Sequence, residues 1–366
     1  MNAHPSILAA IPALAVAAQA APLHDFTSAR VYALDSICSE ASGVAYSRNT
    51  DSLYVIGDEG GNFIELSKTG QVKSSMLLHN FNSSADPEGV AYLGNGRFML
   101  ALERMRRGYF IDYVPGAEAT RINNTGPIFL GDGSVQDNIG LEGICYDPLT
   151  DSLWGVKERD PVMAYVMTGY TTNQPVVTMP IKGSKFINAG LSSMSDVYVL
   201  ANCATFSASD PRRQNILFLG RDDKRIVEMT RTGTVVDTLD IAFLNRGTIE
   251  GLTMDDDGVL YLVSEQITAA SPGQPSEGLS SRLIVLTPAP LKVMTSDIVR
   301  SGSQMTAALT WGSSVGVSYV IEYTPDLSSP WAAVSGVQTA VGAFTSATSA
   351  PVTGQKGFFR VRQTTP

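Results

Sequence analysis

The sequence predicts an all-β chain: a five-bladed β-propeller, with six blades the alternative, followed by a small β-sandwich. Three observations carry that expectation. A glycine phrase recurs as ASGVAYS (Gly43), PEGVAYL (Gly89), LEGICYD (Gly143) and IEGLTMD (Gly251), at steps of 46, 54 and 108 residues. Within each unit apolar and polar residues alternate with the two-residue period of strands, not the 3.6 of helices. Beyond Pro288-Ala289-Pro290 the repeat stops and the composition turns to Ser, Thr, Ala, Val and Gly.

Residues 1–20 contain no Lys, Arg, Asp or Glu and carry an apolar run from Ile7 to Ala17, then Ala18-Gln19-Ala20. Pro12 interrupts the run and no Lys or Arg leads it. The small-x-small ending still predicts a signal peptide over 1–20, hence an exported chain, secreted, periplasmic or cell-surface. No other apolar run reaches the roughly 18 residues needed to cross a bilayer, so no transmembrane segment is expected. The net charge of −9 argues against nucleic acid or an anionic membrane as partner and favours a cation. Cys38, Cys145 and Cys203 are an odd number without metal-ligand spacing, which gives neither a disulfide framework nor a zinc site. Cys145 reads as core packing, and a Cys38 to Cys203 bond stays open.

The propeller is expected over 28–288. The step of 108 is twice 54, which calls for a degenerate unit between Gly143 and Gly251. NAGLSSM with Gly190 splits it into 47 and 61, although SDVYVLANC is the alternative opening strand. That makes five units, unless a sixth hides in 106–140 or 203–248. Each phrase runs into a turn (SRNTDS, LGNG, DPLTDS, DDDG) and a second strand (SLYVIGDE, RFMLALER, SLWGVKER, VLYLVSEQ), the pattern of a hairpin. Asp255-Asp256-Asp257-Gly258 resembles part of a calcium loop but lacks its other ligand positions, and a hairpin turn explains it better. RVYALDSI (30–37) precedes the first phrase, while the last unit ends after three strands at LIVLTP. The N-terminal strand is therefore expected to complete the final blade and remove two exposed edges. Glycine suits innermost strands crowded at an axis, with Val90, Ile144 and Leu252 pointing into the packing between blades.

In an antiparallel hairpin the start of the first strand lies beside the end of the second. Glu88 is followed after 15 residues by Glu103, Glu142 after 16 by Glu158, Glu250 after 15 by Glu265, and Ser42 after 16 by Asp58. These acids should gather at one mouth of the ring. At ~6 Å and an effective dielectric near 20 each ionised pair repels by about 3 kcal/mol, so something must offset the charge. Water, raised pKa values, Arg104 or Arg159 reaching over, or a bound cation would each do so. For a cation held by these acids, an all-oxygen shell favours Ca²⁺ over zinc or copper. The competing reading is that these acids cap strand ends. The RMRR cluster at 104–107 is read as neutralising rim acids.

The SGVAY, PEGVAY, LEGICYD and IEGLTMD phrases, with RIVEMTRTGTVVDTLDI (225–241), resemble the SdiA-regulated (YjiK-like) family of bacterial propellers over roughly 28–290. The resemblance implies five blades distantly similar to NHL repeats, a calcium site on the motif glutamates Glu88, Glu142 and Glu250, and no established reaction. In more remote calcium-dependent lactonase and phosphotriesterase propellers a glutamate in a similar Glu-Gly phrase also binds calcium. This chain departs from the pattern at Ser42 and around Asn188-Ala189, so at most three blades supply motif carboxylates.

Only His4, His24 and His79 are present, which nearly excludes histidine chemistry. Two functions remain: a binding or scaffold protein for a small-molecule or extracellular ligand at the mouth, or a calcium-dependent esterase, lactonase or phosphoesterase. In the second, calcium polarises a carbonyl or phosphoryl oxygen while Glu103 or Glu265 takes a proton from water. The loop 267–282 either covers the mouth or is a surface excursion. Over 292–366, ALTWGSS, VSYVIEYTPDL, WAAVSG and GFFRVRQ are strands at sandwich spacing that resemble a fibronectin type III-like or immunoglobulin-like module, with Trp311, Tyr319 and Phe359 in its core.

Overall fold

A computed structural model describes residues 22–364 apart from 59–60, 82–84, 121–126, 128, 130–139, 173–174, 207, 209, 245–247, 266–279, 289–292, 314–317, 342–343 and 355. The signal-peptide reading and most of the 267–282 loop lie outside the described residues. The chain divides into two compact units, Ala20–Pro290 and Leu291–Pro366, the latter grouped with Met1–Gln19. Among the described residues the fold is almost entirely small antiparallel sheets with one short α-helix.

Strand β1 (Ser28–Ala33) comes first, and sheet I follows as β2 (Ala41–Ser47), β3 (Ser52–Gly57), β4 (Asn62–Leu66) and β5 (Val72–His79). Sheet II is β6 (Pro87–Gly94), β7 (Arg97–Leu102) and β8 (Arg107–Asp112). Next, β9 (Glu118–Thr120) turns back to pair in parallel with β5. Sheet III is β10 (Leu141–Asp147), β11 (Ser152–Lys157), β12 (Met163–Thr168) and β13 (Val176–Thr178). After helix α1 (Gly183–Asn188), sheet IV is β14 (Asp196–Val199), β15 (Ile216–Gly220), β16 (Arg225–Met229) and β17 (Val235–Asp240). Sheet V is β18 (Ile249–Met254), β19 (Leu260–Ser264) and β20 (Arg282–Thr287), to which β1 adds as fourth strand, antiparallel to β20 from Ser28↔Thr287 to Ala33↔Arg282. The early strand thus covers the edge that β20 would otherwise expose.

The turns between first and second strands follow from their residues. Asp51, Asn95 and Asp151 take φ of 47°, 52° and 47°, a left-handed conformation that Asp and Asn tolerate, and Gly258 takes 80°. The Asp255 run is a hairpin turn: its Oδ1 accepts from Asp257 N at 3.0 Å and Val259 N at 2.9 Å.

First strands touch one another in the order β2, β6, β10, β14, β18, and β18 touches β2. Two glycines show why the phrase recurs. A Cβ on Gly89 would stand 2.5 Å from Glu142 O, and one on Gly143 would stand 2.1 Å from Asp196 Oδ1. No residue with a side chain fits at that approach. One position on, Val44, Val90, Ile144, Val197 and Leu252 are all buried. Between sheets I and II, Tyr54 packs 4.5 Å from Phe98, and Phe63 meets Phe98 edge-on at 5.0 Å.

The Gly190 register is corrected by the structure. Gly190 lies in the turn after α1 with φ 77°, and the opening strand of sheet IV is the alternative, SDVYVLANC. Aligned by pairing, Asp196 stands where the other units carry glycine, and Ser195 where three carry glutamate. Asp196 is buried and accepts from Val197 N at 2.8 Å and from Leu252 N of the next sheet at 2.7 Å. Its carboxylate does by hydrogen bonding what glycine elsewhere does by omission. Of the two stretches open to a sixth unit, 203–248 contributes β15, β16 and β17 to sheet IV, and 106–140 contributes β8 and β9, among the described residues. All three cysteines are free and buried, which removes the Cys38 to Cys203 bond, and Cys145 sits in the largest core cluster.

In Leu291–Pro366, β21 (Val293–Ser301), β22 (Gln304–Gly312), β23 (Ser318–Thr324), β24 (Ala332–Ala333), β25 (Gln338–Thr339), β26 (Phe344–Thr348), β27 (Val352–Thr353) and β28 (Phe358–Thr364) form two sheets. Trp311 of one and Tyr319 of the other are buried with rings 5.7 Å apart, and Phe359 packs against them partly buried.

Candidate metal centre

The acids reach one end of their sheets by a shared local device. In β2, β6, β10 and β18 the pairing slips by one residue at the phrase: between Ala41 and Gly43, Pro87 and Gly89, Leu141 and Ile144, Ile249 and Gly251. Such a bulge leaves a residue out of the ladder and re-aims its side chain. The residue in question is Ser42, Glu88, Glu142 or Glu250. Asp58, Glu103, Glu158 and Glu265 each follow the last residue of a second strand, beside the bulge.

Two clusters form among the described residues, each with one carboxylate oxygen per residue within 4.8 Å of the others: Asp58, Asp86 and Glu88, and Glu103, Glu142 and Glu158. The second is fully buried. Glu103 Oε1 accepts from Gly140 N at 2.8 Å, while Oε2, also buried, has no hydrogen-bond partner among the described residues. Glu158 Oε1 lies 2.9 Å from Arg159 Nη1 and 3.6 Å from Arg221 Nη1 without the geometry of a hydrogen bond. Glu250 is in neither of these two groups; its Oε1 lies 3.0 Å from Arg221 Nε and the Glu265 charge acts on it, while its own charge acts on both Glu88 and Glu142. Glu88 and Glu142 thus fall in different clusters, yet the charges of Glu88, Glu142 and Glu250 act on one another.

The electrostatics follow from burial. At 4.8 Å and a dielectric near 20, each ionised pair repels by about 3.5 kcal/mol. Burial first, then the charges of Glu88 and Glu103, push the Glu142 carboxyl well above the usual range. Burial, then Glu250 and Asp58, do the same to Glu88. Burial raises Glu103 and Glu158 as well, against the pull of the Gly140 amide on the former and of Arg159 and Arg221 on the latter. Glu250 is pushed up to about 8 by burial, with Arg221 opposing and Glu265 adding.

Two members of the site escaped the sequence reading. Asp86, two residues before Glu88, is held at φ 50° with Arg104 Nε 2.7 Å from its Oδ2. Arg104 thus neutralises a rim acid, as its cluster predicted. Arg221 follows the end of β15, the place where Asp58, Glu103, Glu158 and Glu265 stand in the other sheets. Its place directly after the strand end is the signal that marks it, although its charge is opposite to that of its four counterparts. The histidines lie elsewhere: exposed His79 on β5 bonds Glu118 at 2.9 Å, and His24 bonds Asp237.

An unpartnered buried oxygen in an all-carboxylate cluster fits a hard, oxygen-preferring cation. It gives zinc or copper neither nitrogen nor sulfur. No helix among the described residues is long and apolar enough to cross a membrane.

Solved structures similar to this chain include three at low identity. A catalytically inactive virginiamycin B lyase from Staphylococcus aureus with quinupristin has 10% identity and TM-score 0.32, covering 68% of this chain and 67% of that one. RRP9 WD40 repeats have 9% identity and TM-score 0.35, covering 74% and 99%. A mitotic checkpoint complex chain has 15% identity and TM-score 0.32, covering 73% and 71%. The pattern of the SdiA-regulated family matches residues 20–267, well over half the chain, and the protein belongs to that family.

Proposed function

We propose that this is an exported, calcium-binding five-bladed β-propeller over 28–288 that serves as a binding or scaffold protein, with a fibronectin III-like sandwich over 292–366. Sheets I to V are the blades, and β1 closes the ring. Supporting the ring reading is the succession of first-strand contacts from β2 to β18 and back to β2. The bulged Glu142, with Glu103 and Glu158, holds the cation, and Asp58, Asp86 and Glu88 form the second candidate set.

A single observation carries the metal reading: three buried carboxylates within 4.8 Å, with no hydrogen-bond partner for Glu103 Oε2 among the described residues. Bound calcium supplies positive charge to acids that burial would otherwise keep protonated. It also ties sheets II and III together, since Glu103 follows β7 while Glu142 and Glu158 flank the β10–β11 hairpin.

Elemental analysis of purified protein and calorimetric titration with Ca²⁺, Mg²⁺ and Zn²⁺ test this. Near-stoichiometric calcium, reduced in Glu142→Gln, supports it. Selective zinc binding, or no metal at all, overturns it. A calcium-dependent hydrolase is the second reading, favoured by Arg221, a guanidinium placed beside Glu250 and Glu158 where developing negative charge would be stabilised. Turnover of aryl esters, lactones or phosphotriesters that needs calcium and vanishes in Glu142→Gln would establish it.

A further inference from the structure

A second site lies in the same unit, away from the acids. A pocket of about 240 Å³ is lined by residues of all five first strands, beginning two positions past the bulged glutamates. Its most buried wall is the set Val44, Val90, Ile144, Val197 and Leu252. Tyr46, Tyr92 and Tyr146 stand above these, two residues further along their strands, each tied by its hydroxyl: to Asp51 at 2.9 Å, Asn49 at 2.5 Å and Asp151 at 3.1 Å. The rings are held in place before any ligand arrives.

Charge is distributed against the trend of the molecule. The chain carries −9, yet no Asp or Glu lines this pocket, and both charged lining residues are arginines. Arg48 is engaged, bonding Asn202 O and pairing with Asp256 at 3.2 Å. Arg213, half-buried on the 3-10 turn Pro211–Gln214, has no carboxylate partner among the described residues. An unpaired guanidinium beside an apolar, preformed cup is a receptor for a planar anionic group.

We infer that this pocket binds a small apolar carboxylate, its body against the five-strand apolar wall and its carboxylate on Arg213. Scaling from an engineered apolar cavity of about 150 Å³ that takes benzene, the space accommodates about ten heavy atoms. The site is independent of the cation centre, because the two are built from different residues of the same strands.

Calorimetric titration with phenylacetate, against the neutral phenylacetamide, tests the inference with EDTA present throughout so that the carboxylate clusters hold no metal. Phenylacetate should bind with a dissociation constant of about 1 mM or tighter, given roughly 0.4 kcal/mol per heavy atom. A lost charge-assisted pair is worth about tenfold or more, so phenylacetamide and the Arg213→Ala variant should each be weaker by that factor. Arg213→Lys should keep most of the affinity, and Leu93→Trp, which fills the pocket from a half-buried position, should abolish binding while thermal melting reports an intact fold. Equal binding of acid and amide, indifference to Arg213→Ala, binding that survives Leu93→Trp, or no saturable heat for phenylacetate would each overturn it. None of these outcomes depends on calcium, so the two sites stand or fall separately.

Discussion

Replacing Glu142 by Gln should change stability in opposite directions with and without calcium. Its carboxylate lies within 4.8 Å of those of Glu103 and Glu158, and two ionised pairs at that distance cost about 7 kcal/mol at a dielectric near 20. Partial protonation and Arg159 offset much of this, leaving roughly 2 kcal/mol to be relieved at pH 8, or about 5 °C for a unit of this size. In EDTA the variant should therefore melt higher than wild type. With calcium at a hundred times its dissociation constant, wild type gains about 2.7 kcal/mol, or roughly 5 to 10 °C, and the variant far less. The melting curves of the two proteins should cross as calcium rises in a scanning-calorimetry series. A variant that melts lower in EDTA and keeps the full calcium shift would refute both the charge argument and the ligand assignment.

Glu250, raised to about 8 from an ordinary value of 4.5, prefers its proton when folded. The Glu250 contribution to stability is then full below 4.5 and declines as pH rises towards 8, by up to about 5 kcal/mol, and calcium-free melting from pH 5 to 8.5 should fall in wild type and fall less steeply in Glu250→Gln, where the other raised carboxyls remain. Gly143→Ala sets a Cβ 2.1 Å from Asp196 Oδ1 and 2.4 Å from its Cα, and should cost about 3 kcal/mol or more in urea unfolding. Asp196→Ala leaves the buried amides of Val197 and Leu252 without their acceptor and should cost about 2 to 4 kcal/mol, with Asp196→Asn in between. Deleting 28–33 unpairs β20 and should convert monodisperse protein to aggregate on size exclusion.

The sheet architecture was readable where residue identity and backbone demand coincide. Glycine recurs because neighbouring strands approach within the space of a Cβ, and turn residues recur because left-handed φ restricts the choice. The same logic fails at sheet IV. There Asp196 satisfies two backbone amides rather than vacating space, and nothing in the hydrophobic pattern distinguishes that solution from a broken repeat. Gly190 attracted the register because it is a glycine at a plausible interval, whereas its positive φ belongs to a helix-end turn. At the site, spacing alone marked out Glu103 and Glu158 as neighbours of Glu142. It did not reveal Asp86, which precedes the phrase, or the division of acids into separate clusters, which depends on where arginines reach.

Arg221 explains why the division falls where it does. Five sheets present five positions at the end of their second strands; four hold acids, Asp58, Glu103, Glu158 and Glu265, and sheet IV holds this arginine. Sheet IV also replaces the motif glutamate by Ser195, so it subtracts an acid and adds a cation at the same place. Glu250 and Glu158, which flank it in sheets V and III, are drawn towards its guanidinium at 3.0 and 3.6 Å. Glu158 and Glu250 thus have an arginine charge beside them, whereas Glu103 Oε2 in sheet II has no hydrogen-bond partner among the described residues. A fivefold ring of carboxylates would spread its repulsion evenly and favour no single ion position. One inverted sheet breaks that evenness, and the proposed cation would gain most between sheets II and III.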